Sequence, residues 1–237
     1  MKSFTIKEAF SFGWSKYKEH WKFLVPLFIA LGIFYALVSW GSNPGGDPQE
    51  ANWLVQAIGN IIGVYISIGI INVYLRIYRG ERIEVKNLFL SWDIFWKSII
   101  GGILVSLTVL VGFILLIVPG LIWMFTYYFY SYIIIEKAVG PIEAMKTSRK
   151  ITVGDRWHLV GFTIVVVLAN IVGAMIVGIG LLVSIPLTSL ATVWVYKKLQ
   201  EKKLDSVPEH GITHPSREAT EGEAGGITSP ASSAGSQ

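Results

Sequence analysis

The sequence predicts an all-α integral membrane protein. Six transmembrane helices pair into three hairpins, each preceded by a cytoplasmic interfacial amphipathic helix. Three observations predict it. The 237 residues are 52% hydrophobic and only 15% charged, with a mean hydropathy of +0.54, whereas a soluble domain carries about 25% charged residues. Six stretches are apolar and long enough, or nearly so, to cross a bilayer core of about 30 Å as helices. All 20 Lys and Arg fall in segments that three hairpins would leave on one side. These facts exclude a water-soluble globule, a disordered chain and a nucleic-acid-binding domain of the usual basic kind.

Taken in order, residues 1–22 read as an N-terminal amphipathic helix opened by Thr5 and Glu8 in capping-box spacing. Its apolar stripe is Ile6, Ala9, Phe10, Gly13, Trp14 and Tyr17. The first span, 23–40, reads as a retained helix and not as a secretory signal, because its polar lead-in is long and no small-residue cleavage site follows. The second span is 53–75. A second interfacial helix is expected at about 85–96, with Val85, Leu88, Phe89, Trp92, Phe95 and Trp96 on one face. Spans three and four follow at 98–118 and 119–137. A third interfacial helix at about 140–151 starts with Pro141 in the first helical position and has Ala144, Met145 and Ser148 on one face. Spans five and six lie at 157–177 and 178–197, closing a membrane domain of residues 23–199. Each must be a helix, because an isolated strand leaves backbone groups unpaired in lipid. Residues 204–237, rich in Gly, Ser, Pro, Thr and Glu, read as a disordered cytoplasmic tail.

The basic residues set the expected orientation. Five lie in 1–22, five in 76–97, five in 137–156 and five from Lys197 to Arg217. The segment Gly41–Asn52 and the turns at Val118–Gly120 and Gly178–Gly180 have none. Both termini are therefore expected to be cytoplasmic. Without the tail that face holds 19 basic against nine acidic residues, and it should attract anionic membrane lipids at about 1 kcal/mol per well-placed cation. Trp21, Trp96 and Trp157 sit at three equivalent boundaries, where an apolar ring with a polar N–H is favoured, and are read as interface anchors.

Few residues suggest chemistry. Gly59 and Gly63 begin a small-residue row of the kind that packs helices closely in membranes. Asn60, Asn72 and Asn170 are intramembrane polar residues, read as interhelical hydrogen-bond donors and acceptors in preference to ligand contacts. Glu136, beside Lys137 at the end of the fourth span, is read as an interfacial ion pair. Pro186 should kink the sixth helix. The chain has no cysteine, and His210 and His214 are flanked by Gly211 and Pro215, which disfavour the helix a metal pair would need. No catalytic motif is present, so no catalytic, cofactor or metal residue is assigned.

The stretch from Val118 to Gly161 carries Pro119-Gly120, an aromatic-rich helix, Glu136, Gly140, Glu143-Ala144, Ser148, Gly154 and Trp157, and the N-terminal part has Ala9-Phe10 with Gly13-Trp14. This pattern resembles an uncharacterised six-helix family of bacterial membrane proteins related to the membrane domain fused to glycerophosphoryl diester phosphodiesterases. The resemblance implies a polytopic protein of the bacterial inner membrane. It does not imply the phosphodiesterase activity, which in the fused proteins belongs to a separate soluble domain. The functional expectation is a non-enzymatic component that scaffolds a membrane or cytoplasmic protein partner or supports lipid organisation. The alternative is a small-solute or lipid transporter.

Overall fold

The computed structural model describes residues 4–43, 52–176 and 180–205. The expected outer loop around Asp47 and Glu50, most of the Gly178–Gly180 turn and the tail with its two histidines lie outside the described residues. Among those described, all regular structure is helical: eight α-helices and one 3-10 turn. Five segments are long and apolar enough to cross a membrane: Ile6–Ser42, Trp53–Arg79, Trp92–Leu115, Ile117–Lys137 and Arg156–Met175. With bulky apolar residues exposed along them, such as Leu37, Ile103, Ile114 and Met175, they mark a membrane protein.

Helix α1 (Ile6–Ser42) is one element of 37 residues, where the sequence suggests an interfacial helix followed by a separate span. At about 1.5 Å per residue it reaches about 55 Å, well beyond one bilayer core. Nothing between Trp21 and Leu24 breaks a helix, and Pro26 removes one backbone donor without ending it. The expected capping box does not form, since the Thr5 side chain makes no cap bond. Gly13 lets this helix approach the last helix of the bundle: an added Cβ would lie 2.6 Å from the Leu187 carbonyl oxygen.

Helix α2 (Trp53–Arg79) starts where the Asn52 side chain accepts from the backbone N–H of Leu54 (3.1 Å) and Val55 (3.3 Å). It ends at Gly80, whose φ of 71° is the left-handed conformation glycine adopts without strain. Gly59 and Gly63 face α1, meeting Val38 and the Tyr35 ring, so the two helices pack over their small residues.

The expected second interfacial helix is corrected. Val85–Leu88 is a 3-10 turn, Phe89 is extended, and a new helix, α3 (Trp92–Leu115), begins at Ser91. Tertiary partners take the backbone groups a continuous helix would have used. Asn72 donates to the Asn87 carbonyl (2.9 Å), the Tyr65 hydroxyl to the Leu90 carbonyl (2.6 Å), and Leu88 lies directly on Gly69. The segment is therefore laid along α2, and Trp92, Phe95 and Trp96 belong to the first turns of α3.

Leu116, in extended conformation, turns the chain straight into α4 (Ile117–Thr126). The expected fourth span is interrupted: residues 127–129 form a turn before α5 (Tyr130–Lys137). Helix α6 (Pro141–Thr152) explains the break. Its Ser148 and Thr152 hydroxyls both donate to the Thr126 carbonyl (2.9 and 3.1 Å), and the Phe129 N–H donates to Ser148 Oγ (3.3 Å). Hydroxyls inserted into a backbone ladder are a recognised cause of such kinks. Ala144 and Ser148, on one face as the sequence suggests, are both buried within the protein, and Ser148 sits at this break.

Helix α7 (Arg156–Met175) follows a turn at Gly154, φ 94°. Helix α8 (Leu181–Asp205) extends past the expected end at 197 and continues through Pro186. It is the most enclosed helix, with Leu190, Ala191, Val193, Val195 and Tyr196 fully buried. It is not among the five most apolar segments. Its last nine residues, Lys197–Asp205, carry six charges, Ser184, Thr188 and Thr192 dilute the apolar part, and a helix surrounded by protein does not need a lipid-compatible surface. Thr188 and Thr192 donate back to the Ser184 and Thr188 carbonyls (2.7 and 2.8 Å), which satisfies them internally.

Candidate functional site

The best-connected polar group within the bundle is the Glu136 carboxylate, in the last turn of α5. Arg79 of α2 donates to its Oε1 at 2.8 Å, and Lys197 of α8 pairs with the same oxygen. On Oε2 it accepts from the Tyr196 hydroxyl (2.7 Å) and from Gln200 (3.5 Å). Its side chain is only 10% exposed and that of Lys197 15%. An ionised carboxylate offers about four acceptor positions, and here each oxygen receives two donors. Chemically the group is saturated: it joins α2, α5 and α8 and keeps no oxygen open for a proton or ligand. The same edge carries Glu81, which pairs with Arg76 (2.8 Å) and Arg79 (3.5 Å). The sequence points to Glu136 as an ion pair with Lys137 beside it, whereas its partners come from two distant helices. A register between helices is not written in one sequence, so Arg79, Tyr196 and Lys197 give no sign there of converging on it.

The other candidates separate. Gln56 receives the Ser42 hydroxyl (3.0 Å) and donates to Asn60 Oδ1 (3.3 Å), forming a short polar chain at the α1–α2 end. Asn72 holds the Asn87 carbonyl as described. Asn170 bridges α7 to α8, donating to the Val166 carbonyl (2.9 Å) and to Thr188 Oγ1 (3.3 Å), while its Oδ1 is buried without a partner among the described residues. Trp21, Trp96 and Trp157 are all exposed, Trp157 to 85%. His20 Nδ1 lies 3.1 Å from the Lys16 carbonyl, which accepts from it in the Nδ1–H tautomer, and the His158 ring packs edge-on against Phe4. No cluster of three His, Asp or Glu able to hold a metal occurs among the described residues.

Two concavities lie apart from the Glu136 cluster. One, of about 520 Å³, lies between α2, α3 and α5 and is lined by hydroxyls of Ser67, Ser98, Ser106, Tyr130 and Ser131 set among apolar residues. Ser98 Oγ is buried there without a partner among the described residues. Ser98 and Ser131 escape sequence reasoning, because a serine in an apolar run gives no sign of which face it occupies. The second, of about 600 Å³, is an apolar groove between α4 and α7.

Comparison with known proteins places this arrangement among relatives. The chain is 25% identical over 228 residues to the uncharacterized protein Mb2590 of Mycobacterium bovis, covering 83% of this chain and 69% of that protein. The uncharacterized protein MT2637 of Mycobacterium tuberculosis matches to the same extent, and the uncharacterized protein Rv2560 of that species is 24% identical over the same coverage. No solved structure matches. None of these matches is to the membrane domain of glycerophosphoryl diester phosphodiesterases. The profile of the domain of unknown function DUF7847 matches residues 50–219, well over half of the chain. The chain, a helical membrane protein with bacterial relatives, belongs to the DUF7847 family.

Proposed function

We propose that this is a non-enzymatic, multi-pass protein of the bacterial inner membrane that scaffolds a partner or supports lipid organisation. Six spans form three hairpins, both termini are cytoplasmic, and the basic face they share meets anionic lipid. The observation that carries the reading is the saturated Glu136. Glu136, with a side chain only 10% exposed, is committed to holding α2, α5 and α8 together, whereas a proton- or sodium-driven carrier needs an acid whose partner can change. The enclosed α8 supports a sixth span: Leu181–Tyr196 carries no charge, and the modest hydropathy of the whole helix comes from the charged residues that follow and from hydroxyls satisfied within the helix. The likeness to the phosphodiesterase-linked membrane domain belongs to the same proposal and concerns architecture alone. Its motif residues have structural work here: Glu136 in the ion cluster, Gly140 before α6, Ser148 in the α4–α5 break, Gly154 in a left-handed turn. Cofactors and nucleic acid have no place in this reading.

Cross-linking in native membranes from the exposed Trp14, followed by partner identification, is expected to capture one specific protein. Repeated failure across growth conditions would count against scaffolding. The hydroxyl-lined cleft favours a second reading, a small-solute or lipid transporter. In reconstituted vesicles, flux abolished by Ser98→Leu, Asn60→Ala or Asn170→Ala would replace the first reading with the second.

A further inference from the structure

The groove between α4 and α7 is apolar along its length, with Leu121, Ile122, Phe125, Val160 and Ile164 on its walls, and polar at one end, where Gly154, Arg156 and Trp157 close it. Leu121, Ile122, Trp157 and Ile164 are exposed on the surface that the membrane reading gives to lipid. At the polar end Arg156 is a cation with no acid paired to it among the described residues. The acid next to it in the chain, Asp155, is buried and turned onto Lys202 at 2.7 Å. Arg156 forms no ion pair among the described residues, and its Nε is buried without a hydrogen-bond partner. Burying part of a guanidinium unpaired is costly, so the site favours an anion there. Helix α6, which leads into this turn, adds exposed Arg149 and Lys150, also without acidic partners among the described residues, while its one acid, Glu143, stands at the far end of that helix.

We infer that this groove binds one anionic glycerophospholipid, with an acyl chain between α4 and α7 and its phosphate on Arg156. An apolar trough ending in a guanidinium matches that molecule: the trough takes hydrocarbon that water rejects, and the fork-shaped cation takes phosphate oxygens in pairs. A zwitterionic lipid would bring its own cation to a site that already has an excess of positive charge. An apolar peptide helix would leave Arg156 unmatched. The inference rests on the membrane reading above and names its lipid.

Because the chain lacks cysteine, an Ile164→Cys variant of the full chain carries a single bimane label in the groove, and an Ile33→Cys variant labels an exposed site on α1. Each is reconstituted in phosphatidylcholine containing a small, equal fraction of dibrominated phosphatidylglycerol or dibrominated phosphatidylcholine. Quenching at 164 is expected to be several-fold stronger with the glycerol lipid, and equal for the two lipids at 33. Arg156→Gln should bring the two lipids level at 164, and Arg156→Lys should keep part of the preference. Equal quenching by both lipids at 164 in the Arg156 protein would overturn the site while leaving the membrane reading intact, and needs no arginine variant to fold. Loss of the preference on adding millimolar glycerol 3-phosphate would assign Arg156 to a free anion and also overturn it. Absence of quenching at both positions would overturn the membrane reading as well.

Discussion

Glu136→Gln is expected to destabilise the folded bundle by roughly 3–5 kcal/mol, the usual cost of breaking a buried ion pair from one side. The size of the volume change does not cause this, since the two side chains are nearly isosteric. What remains is an Lys197 ammonium, 15% exposed, whose counter-charge has been removed. Arg79, 39% exposed and still paired with Glu81, should bear less of the loss. Unfolding of the purified protein in mixed micelles, followed by tryptophan emission, measures it. The double variant Glu136→Gln/Lys197→Met should recover a substantial part of the loss, because it removes the stranded charge together with its partner. Equal stability of Glu136→Gln and the parent would show that the cluster does not hold the three helices.

Gly69→Val should be the most disruptive change in the α2 region. A Cβ there meets the Leu88 carbonyl, with its carbon and Cα at 2.8 and 2.9 Å. These are backbone atoms, which cannot rotate aside as a side chain does. Overpacking of this kind costs about 1–3 kcal/mol. Displacing the segment also releases the Asn72–Asn87 and Tyr65–Leu90 hydrogen bonds, at about 1 kcal/mol each. Hydrogen exchange should accelerate across residues 81–91 while α7 and α8 keep their protection. Gly161→Ala is the matched control: nothing lies within 4 Å of the added methyl, and the helix should be unchanged or stabilised by up to about 1 kcal/mol. Similar exchange at 81–91 in both variants would mean that this segment does not rest on Gly69.

The difference between these two sites also shows what a single sequence can convey. Helix existence was legible, because apolar length is a local property: α2, α3 and α7 stand close to their expected spans, and Pro141 opens α6 as its position suggests. Where tertiary contacts overrule local pattern, legibility ends. Val85–Trp96 has a good amphipathic stripe, yet Asn72, Tyr65 and Gly69 draw its first half onto α2 as a turn and an extended strip. The fourth span is apolar throughout, and only hydroxyls arriving from α6 divide it at residues 127–129. Residues 1–40 contain a polar half and an apolar half, and the change of polarity does not interrupt the helix that runs from Ile6 to Ser42. Glu136 was visible as the charged residue nearest the membrane, but its three principal partners depend on interhelical register. Arg156 drew no notice beyond its charge. What distinguishes it is that Asp155, adjacent in sequence, is engaged elsewhere.

In the proposed topology the chain crosses the membrane with its four basic clusters on the cytoplasmic side. Single cysteines introduced into the cysteine-free chain at Gly45, Leu116, Lys86 and Lys150 can be challenged in intact cells with a membrane-impermeant maleimide. Labelling at 45 and 116 from outside, with 86 and 150 reacting only after the inner membrane is opened, is the predicted result. Labelling of 86 or 150 in intact cells, or protection of both 45 and 116 until lysis, would contradict it.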